Sequence, residues 1–168
     1  MQHNIRFENI GSEDTLFNFT FMSHASSIRN INYAGYYWLR VSSSLGHTHG
    51  YYTELSFVNK LLKVIEDLAK HWGMNEAKYK EEFWGYFAWA FVRLLVKGYF
   101  PDTLVGVKTR LKRWKEVANH EYFKTIPIKK IKCLHKPIVI TFIIIARLRL
   151  FYIFDPLLRI AASIFCKH

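Results

Sequence analysis

TELSFVNKLLKVIEDLAKHW, residues 53–72, is the stretch that decides the fold. Leu55, Val58, Leu62, Ile65, Ala69 and Trp72 recur at three- and four-residue steps, so a helix brings them onto one face. Lys60, Lys63, Asp67 and Lys70 fall off that face. Gly73 is the expected stop, because glycine takes the left-handed conformation that ends helices. A second helix is expected over 77–98. From Phe83 to Val96 it is apolar nearly all round, which predicts a central position. Pro101-Asp102 breaks it. A third helix, over 103–120, places Leu104, Val107, Leu111, Trp114 and Ala118 on one face and a basic set, Lys108, Arg110, Lys112, Arg113 and Lys115, on the other.

On the N-terminal side, Ile5 to Glu8 alternates like a brief strand. Ser12 is a good N-cap, and Glu13 and Asp14 then occupy a first helical turn, where the helix dipole favours negative charge. Leu16, Phe17, Phe19, Phe21 and Met22 continue that helix. Residues 27–40 are rich in Ile, Tyr and Trp and poor in helix formers, and read as one or two strands around Ala34-Gly35. Residues 42–50 form a polar loop.

On the C-terminal side, Pro127 and Pro137 bracket a Lys-rich linker. Residues 137–154 are strongly apolar, interrupted by Arg147 and Arg149. Asp155-Pro156 reads as an N-cap with proline at the first helical position, opening a last short helix to about Phe165. The expected fold is thus α+β and mainly helical, with a small strand region, a helical scaffold and a basic, apolar tail. The expected segments are 1–52, 53–124 and 125–168.

Composition sets limits on function. The chain has 168 residues, enough for a real core, and its 51% apolar content excludes a disordered chain. The formal net charge is +11 and uneven. From Thr125 to His168 there are eight Lys/Arg against one acid, Asp155, so +7 of the +11 sits in the tail. Nucleic-acid binding is not expected, because the charge lies beside long apolar runs and no helix-turn-helix, RNP-type or zinc pattern occurs. The two cysteines, Cys133 and Cys166, give no disulfide framework, and a reducing compartment is the simple reading. The polar residues 1–10 contain no apolar run of the signal-peptide kind.

Sugar transfer to a hydroxyl needs a base for the acceptor proton and groups that hold the departing diphosphate. Asp14 and Glu13 at a helix head suit the first task, since an ionised, directed carboxylate is a good base. The same acids also suit plain capping. The 40–49 segment suits the second task. Arg40 offers a bidentate phosphate clamp, Ser43 and Ser44 offer hydroxyls, and His47 or His49 can bind diphosphate. A solvated loop is the alternative. His47-Thr48-His49 and Cys133-Leu134-His135 each supply too few ligands for a metal.

In the tail, Ile138 to Ala146 is too short to cross a bilayer, which takes about 20 residues. Apolar helices carrying Lys, Arg, Phe and Tyr suit an element lying on an anionic membrane surface. The alternative is a helix pair packed on the domain core.

The stretch FENIGSEDTLFN, residues 7–18, resembles the acidic-pair motif of bacterial family 2 glycosyltransferases, and the segment from Tyr36 to His47 resembles the aromatic-Arg-Ser-His stretch that follows it there. The resemblance covers roughly residues 5–62. It implies the C-terminal portion of a GT-A-type domain, with Asp14 as catalytic base and Arg40, Ser44 and His47 around the donor diphosphate and acceptor. It implies transfer from a nucleotide-sugar to a glycan or glycolipid in cell-surface polysaccharide or lipopolysaccharide synthesis. Mg or Mn would act through the donor diphosphate, at the cytoplasmic face of the plasma membrane. No Asp-x-Asp occurs in the chain, so the donor site is expected in a separate N-terminal half. The competing reading is a non-catalytic membrane-surface interaction module.

Overall fold

Among the described residues, four helices and a 3-10 turn pack on one central helix. The computed structural model describes residues 13–29, 50–97, 105–131 and 136–165. Its elements are α1 (Glu13–Met22), α2 (Tyr51–His71), α3 (Glu76–Lys97), α4 (Val107–Asn119), the short α5 (Glu121–Thr125), a 3-10 turn (Ile128–Lys130), α6 (Lys136–Arg147) and α7 (Phe151–Phe165). Helix α3 is the hub: α2, α4, α5, the 3-10 turn and α6 all pack on it, α1 packs on α2, and α7 on α6.

The fold is mainly helical, as its sequence periodicity requires. Among the described residues no strand is present. The strands expected at 5–8 and 30–40 lie outside the described residues, and 27–29 carry no regular structure. The β component of the expected α+β class therefore has no counterpart among the described residues.

Helix α3 is buried on most of its circumference through Trp84, Phe87, Ala88, Phe91, Val92, Leu94 and Leu95. Against it α2 lays Phe57, Val58, Leu61 and Ile65, all essentially without solvent contact. The connection between them is tight. Gly73 has φ of +65°, and the N–H groups of Gly73 and Met74 donate back to the carbonyls of Lys70 and Ala69 at 3.1 and 2.8 Å, a Schellman ending. Asn75 then caps α3, its Oδ1 accepting the Lys78 N–H at 2.8 Å. Phe91, at the middle of α3, meets the Phe123 ring edge-on at 5.5 Å and the His120 ring at 4.9 Å. Burial holds the His120 imidazole below the usual histidine range, with Glu121 opposing more weakly.

Two sequence expectations need correcting. Asp155-Pro156 does not open the last helix. Helix α7 begins at Phe151, and Pro156 is inside it. The proline has no N–H to give to the Tyr152 carbonyl, so one helical bond is missing there. Asp155 is no exposed cap either. It is 7% exposed, and both of its carboxylate oxygens accept bonds from Arg110, which is 2% exposed, at 2.7 Å from Nε and 2.6 Å from Nη2. The Arg110 Nη1 donates to the Val105 carbonyl.

The basic face of the third helix is the second correction. Lys108, Lys112 and Lys115 are exposed, but Arg110 points inward with Trp114 and Val117. Arg113 lies over the Tyr51 ring at 4.9 Å and the Tyr52 ring at 5.5 Å, a cation–π arrangement.

The tail packs on the core with one face. Val139, Ile143, Ile145 and Ala146 of α6 are buried. The Arg147 Nη2 donates to the carbonyls of Phe123, Lys124 and Ile126 at 2.8, 3.0 and 2.7 Å. Helix α6 ends in a second Schellman turn: the Leu150 N–H reaches the Ile145 carbonyl at 3.1 Å and the Arg149 N–H reaches that of Ala146 at 3.2 Å. Here the left-handed position is held by Arg149, with φ of 56°, where glycine would sit without strain. Arg149→Gly is expected to stabilise the fold by about 0.5–1 kcal/mol, seen as a higher urea midpoint.

Candidate functional site

The acidic pair stands at the head of α1. Glu13 is the first residue of the helix, and Asp14 is the second and exposed. The Thr15 N–H, one of the free donors at a helix start, bonds to Asp14 Oδ1 at 2.8 Å. This holds one carboxylate oxygen of Asp14 at the N-terminal turn.

Helix α1 is fixed to the core at both ends. Leu16 is buried, and Phe19 meets the rings of Phe83 and Tyr86 edge-on at 5.9 and 5.6 Å. The Tyr86 hydroxyl donates to Thr15 Oγ1 at 3.4 Å. At the other end the Trp72 indole N–H donates to the Met22 carbonyl at 3.1 Å, and His71 Nε2 bonds to the Ala25 carbonyl at 2.8 Å. The carboxylate therefore stands on a helix with packing contacts at both ends.

The outward stripe of α1 continues from Asp14 through Asn18 to Phe21, spaced by four and three residues. The Phe17 and Phe21 rings stack at 6.5 Å. Thr15 faces α3 as its neighbour Asp14 faces out. Tyr86, partly exposed on α3, stands beside this end through its bond to Thr15. Sequence reading missed Tyr86 beside Thr15, which only the tertiary packing reveals.

Arg40, Ser43, Ser44 and His47 lie outside the described residues, as do His49, Cys133 and His135. The structure therefore brings Asp14 and Glu13 together on one turn, and the remaining expected site residues are not placed. Among the described residues no three His, Cys, Asp or Glu side chains gather to hold a metal ion.

Two buried polar side chains away from α1 have partners in the core. Glu54, 1% exposed, has the Arg93 Nη2 3.1 Å from both carboxylate oxygens. The Tyr51 hydroxyl donates to Glu116 Oε2 at 2.8 Å, and burial followed by that bond pushes the phenol far above its usual range.

No family model matches the chain, and neither a curated protein nor a solved structure matches it.

Proposed function

We propose that the chain is the acceptor-side part of a family 2-like glycosyltransferase of GT-A type, moving a sugar from a nucleotide-sugar to a glycan or glycolipid of the cell surface. The observation that carries this reading is the exposed Asp14 carboxylate on the first turn of a helix anchored at both ends, within a motif resembling that of the family. In the proposed step, Asp14 takes the proton of an acceptor hydroxyl. The hydroxyl oxygen bonds to the anomeric carbon, the bond from that carbon to the diphosphate breaks, and the nucleoside diphosphate leaves. Glu13 adds negative charge at the same turn. Arg40, Ser43, Ser44 and His47 would attend the departing diphosphate, and a Mg or Mn ion would act through the donor half.

Asp14→Asn tests this directly. Asparagine keeps an oxygen for the Thr15 N–H, so folding should be unchanged, whereas amide nitrogen and oxygen cannot take the proton. Transfer by membranes of cells expressing the chain with a donor-binding half, assayed with labelled UDP-, GDP- and dTDP-sugars, is expected to fall by about 10²–10⁴-fold. Transfer that survives the substitution removes Asp14 as the base.

A further inference from the structure

The outer face of α6 and α7 carries apolar side chains that the core does not use. Ile144 on α6 and Leu148 just past its end follow Pro137 and Thr141 at steps of four, three and four, and all four are exposed. The stripe continues across the turn to Tyr152, Ile153 and Pro156 of α7. Leu148, Tyr152 and Ile153 are 62, 69 and 65% exposed, far beyond what packing on the domain leaves a residue of their size. Because Leu148 and Tyr152 bracket one short turn, the two stripes form a continuous strip.

The exposed charges on α6, α7 and the turn between them have one sign. Lys136 heads α6, Arg149 sits at the turn and Arg159 lies on the Tyr152–Pro156 side of α7, all exposed. The one acid between 136 and 165, Asp155, is turned inward and neutralised by Arg110. Arg147 does not belong to this set, since its guanidinium is committed to three carbonyls. Arg149 is held in a left-handed conformation that glycine would occupy without strain, so the chain carries a cation at the tip of the turn despite a local conformational cost.

A strip of this kind is complementary to an anionic lipid surface. Its apolar side chains suit the boundary between headgroups and acyl chains, and its cations suit the headgroup phosphates. No helix among the described residues is long and apolar enough to cross a membrane, so contact would be in the surface plane.

We infer that the α6–α7 turn and its flanking stripes seat the protein flat on an anionic bilayer, with Ile144, Leu148, Tyr152 and Ile153 inserted and Lys136, Arg149 and Arg159 on the headgroups. This narrows the membrane-facing surface from the whole tail to one outer face, while the inner face of α6 remains packed on α3. The inference does not depend on sugar transfer.

The test is co-sedimentation of the full chain with vesicles of phosphatidylcholine alone, and of phosphatidylcholine with phosphatidylglycerol in roughly a 7:3 ratio. Binding is expected only to the anionic vesicles and should weaken as salt is raised. Arg149→Gln with Arg159→Gln is expected to weaken it roughly fivefold per charge removed. Leu148→Glu with Ile153→Glu should weaken it by at least about tenfold. Phe21→Glu, an exposed apolar site on α1, should leave it unchanged, and circular dichroism of each variant should match that of the parent. The seat is overturned by an absence of binding to either vesicle, which would leave the strip to a protein contact. Equal binding to neutral vesicles overturns it too, as do strip variants without effect or a Phe21→Glu variant that weakens binding as much as they do. Sugar transfer is not read in this experiment, so its outcome is separate from that of Asp14→Asn.

Discussion

Asp155→Ala is expected to destabilise the protein by about 3–5 kcal/mol, because it leaves the Arg110 guanidinium buried without its counter-charge. The size of the effect follows from geometry. Two charge-assisted bonds of 2.7 and 2.6 Å hold α4 to α7, and little water reaches either side chain to replace what is lost. For a chain of this length that cost lowers the melting temperature by about 6–20 °C. The double variant Arg110→Met with Asp155→Leu is expected to recover most of the loss, since neither charge is then stranded. Urea unfolding of parent, single and double variants measures both statements. A single variant within about 1 kcal/mol of the parent would mean that water reaches Arg110 after all.

Phe91→Ala is the other large expected loss, about 3–5 kcal/mol. Phe91 is wholly buried at the middle of α3, and its ring packs edge-on against Phe123 and beside His120. Truncation removes apolar contact from α3, α5 and the segment between α4 and α5 at once. These neighbours are also held by their own backbone bonds and by Arg147 on the Phe123 carbonyl, so they are poorly placed to close the gap. A urea titration with an unchanged slope and a lower midpoint would separate this cavity effect from a change of fold.

Much of the helical frame was legible because local signals and packing agree. The expected helix over 53–72 is found at Tyr51–His71 with Gly73 left-handed behind it, and that over 77–98 at Glu76–Lys97. The third helix shows where periodicity stops being sufficient. Its apolar residues suggested an inward face at Val107, Leu111 and Trp114, yet the buried positions are Arg110, Trp114 and Val117, and Val107 is exposed. The buried face takes in Arg110, and what permits this is Asp155, 45 residues later. No local rule connects an arginine in a basic run with an aspartate before a proline. Asp-Pro taken alone favours a helix start; Asp155 instead serves as a buried counter-ion, and a bond lost at Pro156 is tolerated. The same limit applies to the candidate site. Asp14 at a first turn could be read from Ser12-Glu13-Asp14, whereas the approach of Tyr86 to Thr15 depends on tertiary packing.

The tail illustrates a division of labour between neighbouring arginines. Ala146-Arg147-Leu148-Arg149 reads as a simple alternation, but Arg147 turns in to the carbonyls ending α5 and Arg149 turns out at the tip of the next turn.

The wiring of α3 also bears on the order of assembly. Helices α2 and α3 are sequence neighbours joined by a tight turn, so their pairing needs little loop closure and can form early. Helix α7 meets the rest of the chain through α6, through the Trp114–Phe151 ring contact and through Arg110. Its attachment depends on partners that must already be in place. The last helix described is thereby the natural late arrival in folding and the natural first departure on unfolding, with Arg110 and Asp155 as its latch.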